Sequence, residues 1–188
     1  MQGLLEQISQ CRECAASLAH EPRPVVRAHS SARLLIIGQA PGSKVHASGV
    51  PWDDPSGERL REWLQLERER FYSEDVAIVP MGFCYPGKGK SGDLPPRPEC
   101  APLWHQPLLD ALTQVELTLL IGSYAQKAYL PEVASTLTET VKRVDDWLPK
   151  QVALPHPSPR NNIWLKKNAW FEQDVLPKLR ARLETLKL

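Results

Sequence analysis

RLLIIGQAPG, residues 33–42, joins a short and nearly continuous apolar run to a turn rich in glycine and proline. An apolar run of this length, without polar residues at alternate positions, is typical of a strand buried on both faces of a parallel sheet. Three later runs share this pattern and are also bounded by turn residues. The sequence therefore predicts strands at Arg33–Gly38, Asp75–Val79, Leu117–Ile121 and Gln151–Leu154.

Helical patterns lie before, between and after these strands. The predicted helices are a first one around Leu4–Leu18, which carries two cysteines, and others at Gly57–Leu66, Pro102–Leu112, Ser123–Leu130 and Phe171–Leu186. Alternating strands and helices predict a single α/β domain over residues 1–188, with three α/β/α layers around a four-stranded parallel sheet. Pro86–Arg97 (PGKGKSGDLPPR) has neither pattern, and we expect it to be a flexible surface loop.

Composition excludes several classes of function. The chain has 188 residues and a formal net charge of +1, so any nucleic acid must bind to a local basic patch rather than to a global field. No apolar run approaches the roughly 18 residues of a membrane span. The first residues lack a basic segment followed by a long apolar one, so we expect no secretory signal, a cytoplasmic location, no membrane partner and a monomer.

The four cysteines are Cys11, Cys14, Cys84 and Cys100. Two thiolates at the spacing of Cys11 and Cys14 can converge on one metal centre, and thiolate-only sites suit Zn²⁺ or an iron–sulfur cluster. A disulfide framework does not fit a reducing compartment. Inert core thiols remain an alternative, whereas a thioredoxin-like motif is disfavoured because Cys11 precedes the first strand.

Unusual residues follow the predicted strands. Gly38–Gly42 follows the first, Pro80–Cys84 the second, Gly122–Ser123 the third and Pro155–Asn161 (PHPSPRN) the fourth. Ligands of open α/β sheets bind at the carboxyl ends of strands. Turn chemistry explains glycine and proline at these positions, but it does not explain a histidine, His156, held between two prolines.

These residues resemble the uracil-DNA glycosylase superfamily. The resemblance rests on the GQAPG turn, Pro51–Trp52, the helix start Ser56-Gly57-x-x-Leu60 and the HPSPRN loop, and it extends from about Cys11 to Leu179. The cysteine layout looks like the iron–sulfur (family 4) branch, whereas HPSPRN looks more like the single-strand-selective branch. The resemblance implies a structural [4Fe–4S] cluster on Cys11, Cys14, Cys84 and Cys100.

The resemblance also implies roles for the residues at the strand ends. His156 would point at a pyrimidine carbonyl, Trp52 would stack on a base flipped out of DNA, and Ser158 would be preoriented by the prolines. The turn formed by Gln39, Ala40, Pro41 and Gly42 would line the pocket close to the sugar. Arg160 and Asn161, with Lys44, Lys88, Lys90, Arg97, Lys166 and Lys167, would contact phosphates. Ser158–Arg160 would also wedge into the duplex.

Two positions depart from the family pattern. Iron–sulfur members carry glutamate where this chain has Gln39, and other branches carry aspartate or asparagine at Ala40. Gln39 would then position the water by hydrogen bonds, or Asp53 or Asp54 would supply the carboxylate that activates it. The asparagine that reads uracil is also absent, and we expect backbone groups of Met81 and Gly82 to replace it.

The predicted activity is a monofunctional DNA glycosylase of base excision repair that releases uracil or another deaminated or damaged base, with single-stranded DNA as one substrate. Its product would be an abasic site without strand scission. The missing carboxylate leaves open a DNA-binding or covalently trapping protein of the same fold. The cysteines leave open a redox-sensing iron–sulfur protein that binds DNA.

Overall fold

A computed structural model describes the whole chain, Met1–Leu188, around one central parallel sheet. Its four strands are β1 (Leu34–Ile37), β2 (Val76–Ile78), β5 (Leu117–Ile121) and β6 (Gln151–Leu154), in the order β2-β1-β5-β6. Leu34 of β1 is in register with Val76 on one side and Leu117 on the other. The predicted three-layer α/β/α fold with a four-stranded parallel sheet is confirmed.

Helices flank this sheet on both sides. They are α1 (Gln2–Ser9), α2 (Ser43–Ser48), α3 (Pro55–Leu64), α4 (Arg68–Phe71), α5 (Cys100–Ala111), α6 (Ser123–Tyr129), α7 (Leu137–Lys142), α8 (Val144–Trp147), α9 (Asn162–Lys167) and α10 (Leu176–Thr185). Short 3₁₀ turns occupy Ala15–Ser17 and Pro159–Asn161, and a π-helical stretch, Phe171–Val175, precedes α10. No helix is both long enough and apolar enough to span a membrane.

Two predicted elements are wrong. The first helix ends at Ser9, not at Leu18, so Cys11 and Cys14 lie in the segment after α1 and not on a helix. The segment Pro86–Arg97 is not an unstructured loop, because it contains an antiparallel hairpin of β3 (Lys88–Gly89) and β4 (Gly92–Asp93). Its strands are too short and too polar to show a strand pattern in the sequence.

The strand order places a crevice at the end of β1. The chain moves from β1 to β2 on one side and later returns to β5 on the other side, so β1 and β5 form a topological switch point. Connections that leave in opposite directions open a crevice beyond the carboxyl ends of such strands, where ligands of α/β proteins bind. The turn Gly38–Gly42 lies at this point.

Candidate active site

A cleft of about 360 Å³ opens at this end of the sheet. This volume is within the range of sites that enclose small molecules. The walls come from the β1 turn, the segment before α3, the hairpin and the loop after β6. Its lining residues include Gly38, Gln39, Ala40, Pro41, Gly42, Trp52, Asp54, Ser56, Pro80, Ser91, Asp93, Leu94, His156, Ser158 and Arg160.

The β1 turn is tied to the segment after β2 by backbone hydrogen bonds. Met81 N–H donates to the carbonyl of Gly38 at 2.9 Å, and Gly82 N–H donates to the carbonyl of Gln39 at 3.0 Å. Backbone groups of these two residues were predicted to read the base edge, but their N–H groups are already bonded to the β1 turn and neither residue lines the cleft. That prediction for Met81 and Gly82 is corrected: they hold the turn in place.

Trp52 lies in the cleft with a backbone conformation that is rare for a residue with a side chain. Its φ is +58°, in the left-handed region. The indole packs on Gly38, where a Cβ would approach Cζ2 to 2.9 Å, and a side chain on Gly57 would collide with the Trp52 carbonyl. The Trp52 and His156 ring centroids are 5.6 Å apart. The predicted aromatic residue and histidine are therefore brought together.

The loop after β6 is held by several hydrogen bonds. Asn161 Nδ2 donates to the carbonyl of His156 at 2.7 Å, and Arg59 Nη1 donates to the carbonyl of Ser158 at 3.1 Å. Arg160 Nη1 donates to the carbonyl of Ser91 at 2.9 Å, which joins this loop to the hairpin. Asn161 was predicted to contact DNA, but its side chain orients the histidine loop.

His156 is arranged as a neutral hydrogen-bond donor. Its Nδ1 accepts a hydrogen bond from Ser158 N–H at 3.2 Å, so a neutral imidazole carries its proton on Nε2. Burial lowers the pKa of His156, and the charges of Asp54 and Asp93 oppose this effect more weakly. At neutral pH the ring is therefore uncharged, with an Nε2–H available to a ligand.

The two adjacent aspartates have different positions. The carboxylate of Asp53 pairs with Arg68 at 2.8 Å and does not line the cleft. Asp54 lines the cleft, but its Oδ1 accepts from Gly57 N–H at 2.8 Å and caps the start of α3. Asp53 thus lies outside the site predicted for it, while one oxygen of Asp54 has a structural role.

The hairpin contributes residues that sequence patterns did not single out, namely Ser91, Gly92, Asp93 and Leu94. Asp93 Oδ2 would lie 3.5 Å from a Cβ on Gly42, so this carboxylate lies against the β1 turn. The segment Gly89–Gly92, two glycines around Lys90-Ser91, is the one sequence signal that could have indicated a hairpin turn.

The basic side chains that were predicted to contact phosphates differ in their exposure and partners. Lys44, Lys88, Lys90, Lys166 and Lys167 are exposed. Arg97, in contrast, forms an ion pair with Glu99 and lies beside the cysteines, so its charge is partly neutralised there. The Arg160 guanidinium donates to a carbonyl of the hairpin, and the role of Ser158–Arg160 as a wedge stays a prediction.

All four cysteines are free thiols that line one small cavity away from the cleft. Cys11 and Cys14 come from the segment after α1, Cys84 from the segment after β2, and Cys100 from the first turn of α5. Phe83 N–H donates to Cys100 Sγ at 3.3 Å, and Trp104 Nε1–H donates to Cys11 Sγ at 3.4 Å. These donors to sulfur suit thiolate ligands.

The pKa values of three of the thiols are raised in their shared cavity. Burial, and more weakly the other cysteines, raise the pKa of Cys84 to about 11 and that of Cys100 to about 12. Burial and then the Glu99 carboxylate raise the pKa of Cys14. No set of three or more His, Cys, Asp or Glu side chains is arranged to hold a metal ion. The ligand set is therefore a proposal, taken up below.

The protein is a small α/β protein with a parallel sheet and a glycine–proline turn at the switch point of that sheet. Its cleft contains a tryptophan and a histidine and is suited to a planar ring. A family model described as the uracil DNA glycosylase superfamily matches residues 26–180. The chain belongs to that superfamily, whose members are typically DNA glycosylases that act on DNA. The match includes Cys84 and Cys100 but begins after Cys11 and Cys14, so it does not decide the iron–sulfur branch.

Proposed function

We propose that the protein is a monofunctional DNA glycosylase that hydrolyses the bond between deoxyribose and uracil, or another deaminated or damaged base. The observation that carries this proposal is the cleft itself, where the face of Trp52 lies beside a neutral His156 whose Nε2–H is free to donate. We also propose that the protein acts as a monomer.

The reaction needs the groups that this cleft offers. The base must leave the helical stack, which costs roughly a few kcal/mol. Stacking on an aromatic side chain such as Trp52 is worth about 1–3 kcal/mol per base and offsets part of that cost. The base then leaves as an anion, and a preoriented donor such as His156 Nε2–H stabilises its carbonyl oxygen.

The turn after β2 bears on which bases the protein can select. This turn contains no side-chain amide that could read a base edge. The backbone N–H groups of Met81 and Gly82 are also already bonded to the β1 turn. A site without such a partner discriminates less between bases. We therefore expect the substrate range to include more than uracil.

A base-release assay tests the proposal. The purified protein is mixed with oligonucleotides, single-stranded and duplex, that contain uracil, hypoxanthine or an oxidised pyrimidine. We expect release of free base and strand breaks only after alkali, as for an abasic product. His156→Ala should lower the release rate about 100-fold or more, because it removes the donor to the leaving base.

His29→Ala is the matched control, since His29 contacts Ser31 and Glu74 and not the cleft. Its activity should equal that of the unaltered protein. DNA binding without base release from any oligonucleotide would instead favour a binding protein of the same fold. A protein–DNA adduct that survives denaturation would favour covalent trapping.

We also propose that Cys11, Cys14, Cys84 and Cys100 hold a [4Fe–4S] cluster. The support is that the four thiols line one cavity and that Phe83 and Trp104 donate hydrogen bonds to two of the sulfurs. A bound cluster would supply no chemistry to base release, because the cysteines lie outside the cleft, and it would connect three distant parts of the chain.

A further inference from the structure

Base hydrolysis requires a group that takes a proton from the attacking water, and the β1 turn does not offer one. Gln39 and Ala40 stand where a carboxylate is expected from the family pattern, and neither can accept a proton from water. The turn itself is nevertheless intact and forms part of the cleft. The missing carboxylate must therefore come from another element.

We propose that Asp93, on strand β4 of the hairpin, is the carboxylate that activates the water. Its Oδ2 lies against Gly42, at 3.5 Å from the position of a Cβ there, so the hairpin delivers a carboxylate to the same turn from outside. This inference rests on the proposed glycosylase function and assigns its missing residue.

The position of Asp93 is fixed from several sides. The hairpin is attached to the histidine loop through Arg160 and the Ser91 carbonyl, and a side chain on Gly92 would collide with the Arg160 guanidinium. Leu94 N–H donates to the carbonyl of Gly87 at 2.8 Å, which closes the base of the hairpin. Asp93 also acts on Tyr85: burial raises the pKa of this phenol, and the charge of Asp93 and a side-chain hydrogen bond to it raise the pKa further.

Asp93 is better placed for this role than the other two aspartates. Asp53 is bound to Arg68 outside the cleft, and Asp54 uses Oδ1 to cap α3. The Asp93 carboxylate lines the cleft, is exposed and has no ion pair with a lysine or arginine, so it can accept a hydrogen bond from a water molecule in addition to the one from Tyr85.

The proposed step balances in atoms and charge. The C1′–N bond breaks, and its electron pair leaves on the base, where His156 Nε2–H stabilises the anion. The water oxygen bonds to C1′, and the water proton passes to the Asp93 carboxylate. Asp93 then returns to its carboxylate form by giving this proton to the departing base or to solvent.

The test compares single-turnover base release by the unaltered protein, Asp93→Asn and Asp110→Asn. Asp110 is an exposed aspartate on α5, so Asp110→Asn should retain full activity. Asp93→Asn should lower the rate about 100-fold or more, as expected for loss of a general base. Its affinity for an uncleavable oligonucleotide should be unchanged, and its rate should lose the decline at acid pH that a carboxylate base produces.

A rescue variant tests the same inference by a gain of activity rather than by its loss. Gln39→Glu, added to Asp93→Asn, puts a carboxylate back on the β1 turn and should restore much of the rate. The inference is overturned if the unaltered protein is active and Asp93→Asn releases base at the same rate. It is also overturned if Asp54→Asn, and not Asp93→Asn, loses the activity. In both cases the glycosylase proposal still stands. Absence of release by the unaltered protein overturns both, even if Gln39→Glu alone creates activity.

Discussion

The left-handed backbone conformation of Trp52 is imposed by neighbouring residues. A non-glycine residue in the left-handed region costs on the order of 1–3 kcal/mol and persists only where its surroundings impose it. Here the surroundings are two glycines, with Gly38 under the indole and Gly57 beside the carbonyl. Arg61 Nη1 also donates to that carbonyl at 3.2 Å. The cleft thus depends on Gly57 and Arg61, which do not line it, as well as on the lining residue Gly38.

Gly57→Ala tests this dependence. A methyl group at this position would collide with the Trp52 carbonyl, so the segment before α3 must move. We expect the free energy of unfolding to fall by about 1–3 kcal/mol, as for other overpacked sites, and base release to fall with it. Denaturant unfolding and the base-release assay measure the two effects.

Gly3→Ala is the matched control, because nothing lies within 4 Å of its added methyl group. It should leave activity unchanged and the stability equal or slightly higher, since alanine favours a helix over glycine. Full activity and stability in Gly57→Ala would show that Trp52 does not need its observed conformation.

The β1 turn, the histidine loop and the hairpin, which form the cleft together with the segment before α3, are each also bonded to another part of the chain. The β1 turn is bonded to Met81 and Gly82, the histidine loop to Arg59, and the hairpin to Arg160. Helix α9 follows the histidine loop directly, and its Ile163 is 68 % exposed, the highest value among the large apolar side chains. Under the proposed function the histidine loop faces DNA, and an apolar side chain this exposed beside it would be suited to enter a base stack.

Ile163→Ala should therefore affect duplex and single-stranded substrates differently. The duplex must be opened before the base flips, and an apolar wedge supports that step, so we expect duplex release to fall about tenfold. Release from single strands should stay the same, because no stack needs to be opened. Parallel rate measurements on the two substrates decide between these effects.

Val133→Ala provides the comparison, because Val133 is another exposed apolar residue, at 36 %, far from the histidine loop in sequence. It should not change either rate. An equal loss on both substrates in Ile163→Ala would indicate a general packing defect in α9 rather than a wedge.

For the molecule as a whole, the sequence predicted well whatever depends on continuous apolar runs. Strands β5 and β6 have the predicted bounds, because their apolar runs are nearly continuous, broken in β5 by Thr118 alone, and are followed by Gly122 and Pro155. The sequence did not predict the features that depend on tertiary contacts. Nothing local distinguishes Asp53 from Asp54, and the approach of Asp93 to Gly42 exists only once the hairpin is attached to the histidine loop.

The four cysteines come from three parts of the chain, namely the segment after α1, the segment after β2 and the start of α5, and they line one cavity. A ligand that binds only the folded state stabilises it, by about 2.7 kcal/mol at a concentration of 100 times its Kd. A cluster held by these cysteines should therefore raise the unfolding midpoint, and Cys100→Ala should lower it by about 5–10 °C in a chain of this length. The same variant should lose its iron, its sulfide and a broad absorption band at about 400 nm.

Ser17→Ala, in the same segment as Cys11 and Cys14 but without a thiol, should keep the colour, the iron and the midpoint. About four iron and four sulfide per chain identify the [4Fe–4S] cluster, whereas a colourless protein with one equivalent of zinc identifies the alternative thiolate site and contradicts the cluster. If the unaltered protein binds neither metal, the four thiols are core residues. If the cluster cycles reversibly between redox states and this changes DNA affinity, redox sensing replaces bracing as its role.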